Sequence, residues 1–180
     1  MPREARYIPA NSTVHIYCRG NNKMDIFHDL TDYSVYRSMT IKVLAEHPVE
    51  IYHYCLMPNH VHFLVQVKDE NVSKFMQKLN LRYSFYYREK YNWHGYLWQG
   101  RFKSNVITTE QYLYACGIYI EENPVRAKLV QRVQEYIWSS CHYYLFSACD
   151  KLITVNPYYY ALGDTDAERK RAYRRLSRFS

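Results

Sequence analysis

Two histidines on one predicted strand are the residues of this chain best suited to chemistry. The strand begins at His60 and continues through apolar residues to Val67. Side chains alternate between the two faces of a strand, so His60 and His62 share a face and Val61 lies on the other. Two imidazoles roughly 6–7 Å apart along one face can converge on a divalent ion. The same spacing also fits histidines that make ordinary hydrogen bonds, so the metal hypothesis needs a third ligand.

A second candidate segment, on a predicted helix, could supply that ligand. Tyr119 and Asn123 are four residues apart, so they share a helix face. The amide oxygen of Asn123 could complete a site with the two imidazoles, and the phenol of Tyr119 would then lie one turn away. A divalent ion can polarise a phosphodiester while a phenolate attacks phosphorus. The four side chains together therefore indicate phosphoryl-transfer chemistry.

Each member of this segment also has a simpler interpretation. Tyr119 is one of 21 tyrosines. Asn123 precedes Pro124, where it could instead cap a following helix, and a residue before proline is pushed away from helical dihedral angles. Glu121 and Glu122 are competing ligands or part of a solvated face, and Glu122 is the better placed of the two. The residues alone leave these alternatives open.

The elements that must position these residues follow from hydrophobic periodicity and turn signals. They occur in the order β-α-β-β-α-β, which predicts an α+β fold of the ferredoxin-like type, with an antiparallel sheet and two helices on one face. The other face is then available for a site. The predicted elements are strands 14–18, 49–57, 60–67 and 101–107 and helices 30–47 and 71–91, the second helix starting at Asn71 or Ser73.

A further helix is predicted to carry Tyr119. Thr108 and Gln111 have capping-box spacing, and the pattern continues to about Glu122. Residues 124–134 suit another short helix because proline is favoured at a first helical position. The last third of the chain is rich in tyrosine and arginine. We predict a catalytic domain over residues 7–145 and a C-terminal extension over residues 146–180.

Composition favours a nucleic-acid partner. The chain has a formal net charge of +7 and 17% aromatic residues. Positive charge attracts phosphates and flat rings stack on exposed bases, although core tyrosines and a merely soluble basic surface would give the same figures. The chain has no apolar run of membrane-spanning length and no signal-peptide core. Its five cysteines are widely spaced, without a disulfide or zinc pattern. We therefore predict a soluble, cytoplasmic protein with no membrane partner.

Four segments in one order resemble a known family. Together they are similar to the REP-associated tyrosine transposases, relatives of the single-tyrosine insertion-sequence transposases in the HUH nuclease superfamily. The resemblance covers residues 7–145. The segments are Cys18-Arg19-Gly20-Asn21-Asn22, Leu56-Met57-Pro58-Asn59-His60-Val61-His62, Gln99-Gly100-Arg101-Phe102-Lys103 and Tyr119-Ile120-Glu121-Glu122-Asn123-Pro124-Val125-Arg126-Ala127.

The resemblance implies a role for each candidate residue. His60 and His62 match the metal-binding histidines, Tyr119 matches the nucleophile, and Asn123 stands where insertion-sequence relatives place glutamine. The implied cofactor is Mg²⁺ or Mn²⁺, and the two imidazoles themselves favour Mn²⁺ or a softer ion. The implied reaction is cleavage and rejoining of single-stranded DNA at hairpin, REP-like sequences through a 5′-phosphotyrosine intermediate. A monomer and a homodimer both fit the motifs.

Eight residues are predicted to contact DNA. One group lies in the loop after the first strand, one forms a basic stripe on the second helix, and one shares a face of the fourth strand. A basic stripe opposite an apolar one is more often a solvated face, so the second group has the weaker case. The residues are Arg19, Asn21 and Asn22; Lys74, Lys78 and Arg82; and Arg101 and Lys103.

Two other functions compete with DNA cleavage by a tyrosine. A ferredoxin-like sheet with exposed aromatic residues also suits a non-catalytic single-stranded nucleic-acid-binding module, as in RNA-recognition domains. That alternative gives Tyr119 no purpose. A metal hydrolase could use His60 and His62 to activate water and would form no covalent link to the protein.

Overall fold

One antiparallel sheet forms the centre of the molecule. A computed structural model of the chain describes residues 8–68 and 71–176. Within them, the sheet has the strand order β2-β3-β1-β4. This is the order that a ferredoxin-like β-α-β-β-α-β chain produces, so the predicted fold class is confirmed. The strands are β1 (Ser12–Arg19), β2 (Glu50–Met57), β3 (His60–Val67) and β4 (Lys103–Ile107).

Helices cover both faces of the sheet. α1 and α2 pack together against one face, and α3 lies across β2, β3 and β4 on the other. Asp29 caps α1 in a reciprocal capping box with Asp32. The helices are α1 (Leu30–Glu46), α2 (Asn71–Tyr91), α3 (Glu110–Arg126), α4 (Cys141–Phe146), α5 (Pro157–Tyr160) and α6 (Asp166–Leu176).

The strands bury different residues on their two faces. Val61 and Phe63 of β3 are fully buried in the core beneath α1 and α2. Leu64 points to the opposite face and joins Leu113 and Ile120 of α3 in a smaller core. Full burial of a large apolar side chain contributes roughly 1.5–3 kcal/mol, so this second core holds α3 against the sheet. The face that carries His60 and His62 is therefore also the face to which α3 is attached.

The tyrosine-bearing helix is longer than predicted. α3 begins after Thr109, whose hydroxyl accepts a hydrogen bond from the Tyr112 amide at 3.1 Å, rather than at a capping box of Thr108 and Gln111. It continues through Pro124 to Arg126. The separate helix predicted for residues 124–134 is wrong: in this segment the structure has the end of α3 and a short 3₁₀ turn over Val133–Glu135.

The fourth strand begins two residues later than predicted. β4 starts at Lys103, so Arg101 precedes the strand and the two residues do not share a strand face. Gly100 explains the late start because its φ of +142° interrupts the extended backbone just before this point. The residues just before β4 are held to the end of β1 and to the turn after it: the Gln99 amide donates to the Arg19 carbonyl, and the Asn21 amide donates to the Leu97 carbonyl.

The C-terminal residues pack behind α3. Ile118 of α3 shares a buried cluster with Tyr144, Tyr159 and Tyr173, which come from α4, α5 and α6. The boundary at residue 145 stays a prediction, and residues 177–180 of the predicted extension lie outside the described residues. Across residues 8–68 and 71–176, none of the helices is both long and apolar enough to span a bilayer.

Candidate active site

The two histidines of β3 form the centre of the candidate site. His60 begins β3 directly after the Pro58-Asn59 turn. The rings of His60 and His62 lie 4.8 Å apart between centroids, at an interplanar angle of 85°. Their shared strand face brings them together as the alternation predicts, and they border the same cavity.

Each ring has its Nδ1 atom occupied by a protein partner. His60 Nδ1 lies 2.5 Å from Asn59 Oδ1, and His62 Nδ1 lies 2.9 Å from His15 Nε2. No hydrogen bond within residues 8–68 and 71–176 engages Nε2 of either ring. Metal-binding histidines are oriented in this way, with one nitrogen held by a partner so that the other can bind the ion. The pair is thus arranged to offer two Nε2 atoms.

Burial keeps these rings neutral. It lowers the pKa of His60 to about 4, and the nearby Arg19 cation acts in the same direction. Burial also holds the pKa of His62 well below its usual range, with smaller contributions from His60 and His15. A protonated imidazole has no lone pair to offer, and the neutral form is the one that binds metals. At neutral pH the pair is therefore ready to bind a cation.

Tyr119 faces the histidines from α3. Its ring centroid lies 6.1 Å from that of His62, and its side chain is 42% exposed. The guanidinium of Arg126 lies 5.7 Å from the ring centroid. The same guanidinium donates to Glu122 at 2.8 Å, one turn back along α3. Tyr119 is thus accessible to a substrate and placed beside both the histidine pair and a cation.

Asn123 lies inside α3 and compensates for the proline that follows it. Pro124 has no N–H, so the Ile120 carbonyl loses its helical donor. The Asn123 side-chain amide donates to the Tyr119 carbonyl at 2.8 Å and to the Ile120 carbonyl at 3.3 Å. The alternative in which Asn123 caps a new helix is therefore wrong. With its nitrogen turned to the helix, the amide keeps its oxygen as the atom for a ligand.

One cavity of about 520 Å³ is bordered by the four candidate side chains, His60, His62, Tyr119 and Asn123. Within residues 8–68 and 71–176, no group of three or more His, Cys, Asp or Glu side chains is arranged to hold a metal. Two neutral imidazoles and one amide oxygen around one cavity are nevertheless donor types that a divalent ion binds, and substrate oxygens and water can complete its coordination. The chemistry of these residues thus fits a divalent ion.

Three of the eight predicted DNA contacts also border this cavity. Arg19, Arg101 and Lys103 lie around its rim. The Arg19 Nε atom donates to Gln99 Oε1 at 2.9 Å, and Lys103 Nζ lies 5.9 Å from the Tyr17 ring centroid. Although Arg101 is outside β4, the fold still brings it beside Lys103. The rim of the site is consequently basic.

The other five predicted contacts do not border the cavity. Arg82 forms an ion pair with Glu46 at 2.7 Å, which joins α2 to α1. Lys74 and Lys78 are exposed on α2, in the helical layer on the opposite side of the sheet. Asn21 and Asn22 lie in the 3₁₀ turn after β1. Contact of DNA with these residues stays a prediction.

Sequence reasoning missed the groups that support the site. His15, which holds His62, comes from β1, and Arg126 comes from the last turn of α3. A shared helix face with Asn123 and Glu122 could have indicated Arg126. His15 and Tyr17 share one face of β1, but only the register of β1 against β3 shows which residues of β3 they contact. Register between distant strands cannot be read from either strand alone.

A buried polar network holds the far side of α3. Glu121 is only 3% exposed, so the interpretation of this residue as part of a solvated face is wrong. It accepts hydrogen bonds from Ser140 at 2.6 Å and from Tyr173 at 3.0 Å, and its carboxylate lies 3.0 Å from His53 Nδ1. These partners come from β2, from the segment before α4 and from α6. The network therefore ties the helix that carries Tyr119 to three other parts of the chain.

We expect Glu121→Ala to lower the free energy of unfolding by about 3–5 kcal/mol, because it leaves several buried polar partners unsatisfied. Urea unfolding followed by circular dichroism measures this. Glu89→Ala, on the exposed side of α2, is the matched control and should change stability by less than about 0.5 kcal/mol. Equal effects of the two substitutions would contradict a structural role for the network.

Comparison with known proteins identifies the family of this chain. The family model described as "Transposase IS200 like" matches residues 10–123, and the chain belongs to this family. Its members are DNA-cleaving enzymes, so the prediction of an enzyme is confirmed.

Two individual proteins are similar to this chain. A Haemophilus influenzae protein named as a REP-associated tyrosine transposase is 29% identical over an alignment of 126 positions, which covers 63% of this chain and 71% of that protein. A solved REP-associated tyrosine transposase bound to a REP hairpin shares the fold, with a TM-score of 0.68 and 21% identity. That match covers 87% of this chain and 93% of the other.

Proposed function

We propose that this transposase cleaves and rejoins single-stranded DNA at REP-like hairpins through a 5′-phosphotyrosine intermediate. The observation that supports this best is the meeting of Tyr119 with His60, His62 and Asn123 at one basic cavity. A phenol beside a metal-binding group is suited to nucleophilic attack on a phosphodiester. The non-catalytic binding module and the metal hydrolase both leave the exposed phenol without a task.

Tyr119 is the proposed nucleophile. Its oxygen forms a bond to phosphorus as the bond from phosphorus to the 3′ oxygen breaks, the phenol proton passes to solvent, and the departing oxygen takes up a proton as a 3′-hydroxyl. Attack by a 3′-hydroxyl on the phosphotyrosine reverses these steps and reseals a strand without ATP. Arg126, 5.7 Å from the ring centroid, stabilises the phenolate as it develops.

His60, His62 and Asn123 are the proposed holders of the metal ion. The two Nε2 atoms and the amide oxygen would bind it, and a bound divalent ion neutralises charge on the scissile phosphate. Mg²⁺ and Mn²⁺ both suit this chemistry. Two nitrogen donors favour Mn²⁺ over Mg²⁺ for tight binding, because Mg²⁺ prefers oxygen ligands.

The proposed partner is a DNA hairpin with a single-stranded flank, met in the cytoplasm. A structural relative is bound to a REP hairpin, and the rim of this cavity carries Arg19, Arg101 and Lys103. Positive charge at the rim would hold the phosphates next to the scissile bond. The proposed catalytic domain is residues 7–145, followed by the extension 146–180, and it acts as a monomer or homodimer.

One experiment separates the three functions. The full chain is incubated with Mn²⁺ or Mg²⁺ and a labelled hairpin with single-stranded flanks, and the products are run on a denaturing gel. The proposal requires a labelled band at the mass of protein plus DNA, lost when EDTA is added. Cleavage without such a band would indicate a hydrolase. Binding without cleavage, across hairpins of varied flanking sequence, would indicate a binding module.

We expect Lys103→Ala to weaken hairpin binding similarly for all flanking sequences, because a lysine at the rim contacts phosphate rather than bases. The slope of log affinity against log salt should fall in magnitude by about 0.7–1, the value for one phosphate contact. Fluorescence anisotropy across a salt series measures this. Lys42→Ala, exposed on α1 away from the cavity, is the control and should leave the slope unchanged.

A further inference from the structure

His15 is a buried polar side chain that the proposed reaction does not yet use. It lies on β1, is 7% exposed, and comes from the same sheet face as His60 and His62. Its ring lies edge to edge with that of His62, with centroids 5.1 Å apart and an interplanar angle of 25°. Its Nε2 atom lies 2.9 Å from His62 Nδ1. A buried imidazole is costly unless its nitrogens have partners, so this contact requires an explanation.

The structure assigns His15 as a positioning residue that keeps the proton of His62 on Nδ1 and so leaves Nε2 for the metal ion. This inference rests on the proposed function. A neutral imidazole that binds a metal through Nε2 must carry its proton on Nδ1, and that N–H needs an acceptor. Among the hydrogen bonds of the described residues, His15 Nε2 is the only partner of His62 Nδ1. His15 must then carry its own proton on Nδ1.

The two metal-binding histidines obtain this support in different ways. His60 follows a turn, and the side chain of the preceding residue, Asn59, reaches its Nδ1 atom. His62 lies within β3, where Val61 and Phe63 point to the opposite face. Its partner must therefore come from another strand. The register of β1 against β3 sets Tyr17 opposite His62 and leaves His15 as the diagonal neighbour.

Removal of the acceptor has a chemical consequence that ordinary loss of packing does not have. Without His15 Nε2, the proton on His62 Nδ1 is buried and unpaired, and the ring can relieve this by moving the proton to Nε2. That tautomer has no lone pair at Nε2 for an ion. A ring that only fills space would instead be replaced well by another ring of similar shape.

Two substitutions distinguish these cases. His15→Phe keeps an aromatic ring and removes the acceptor, whereas His15→Gln restores an amide oxygen that can accept from His62 Nδ1. Binding of Mn²⁺ alone to the full chain, without DNA, is measured by electron paramagnetic resonance of the free ion. We expect His15→Phe to lower the affinity about 10–100-fold and His15→Gln to stay within about threefold of wild type. His94→Phe, in an exposed loop, is the matched control and should leave the affinity unchanged.

A second measurement does not depend on the metal. Nitrogen NMR of the metal-free protein, labelled at histidine, should show His62 protonated at Nδ1 in wild type and in His15→Gln, and a shift towards Nε2 in His15→Phe. Wild-type Mn²⁺ affinity in His15→Phe, or equal losses in Phe and Gln variants with the tautomer unchanged, would overturn the proposal. Absence of Mn²⁺ binding in wild type would overturn it together with the proposed metal site. Metal binding and tautomers as expected, but without any DNA cleavage, would overturn the proposed function alone.

Discussion

Tyr119→Phe should abolish the covalent protein–DNA product and lower the rate of strand cleavage by at least about 10³-fold, because no other group replaces a lost nucleophile. Hairpin affinity should stay within about twofold of wild type, since the substitution removes one oxygen from a side chain that is already 42% exposed. A denaturing gel measures the covalent product, and fluorescence anisotropy measures binding.

The chain offers a closely matched control for this prediction. Tyr112 lies on the same helix and is also 42% exposed. Tyr112→Phe removes the same atom from the same kind of surface and should leave the covalent product at the wild-type level. A covalent product that persists in Tyr119→Phe would assign the nucleophile to another residue. Cleavage that continues without any covalent product would instead support a hydrolytic mechanism.

His60→Ala and His62→Ala should each lower metal-dependent cleavage by about 10³-fold. Stabilisation of phosphate charge by a bound ion contributes several kcal/mol to the barrier, and each 1.36 kcal/mol corresponds to a factor of ten. The double variant should lose little more than either single variant, because both histidines act through one ion. The measurement is single-turnover cleavage over a range of Mn²⁺ concentrations.

Excess metal distinguishes a weakened site from a lost one. If the histidines bind the ion, a higher Mn²⁺ concentration should restore part of the rate in the single variants and less in the double variant. His94→Ala, in an exposed loop, should keep the wild-type response to Mn²⁺. Losses that multiply in the double variant, without any response to metal, would contradict a shared ion and indicate separate roles.

Strong local patterns allowed much of the fold to be predicted. Alternation placed His60 and His62 on one face, and a periodic apolar stripe identified α2. Both patterns are set by neighbours a few residues apart. The end of α3 was missed for the opposite reason. Pro124 is a helix-breaking signal, and its tolerance depends on the side chain of Asn123 donating to the Ile120 carbonyl.

The site required information that no local pattern contains. The shared strand face of His60 and His62 and the shared helix face of Tyr119 and Asn123 could be predicted from residue spacing, because strand and helix geometry act over a few residues. The packing of α3 on the histidine face, the contact of His15 with His62 and the burial of Glu121 became visible only in the folded chain. These contacts join residues far apart in the chain, and they depend on strand register and on the packing of apolar faces. Contacts between residues that are far apart in the sequence therefore bring the two histidines together with Tyr119, Asn123 and the residues that support them.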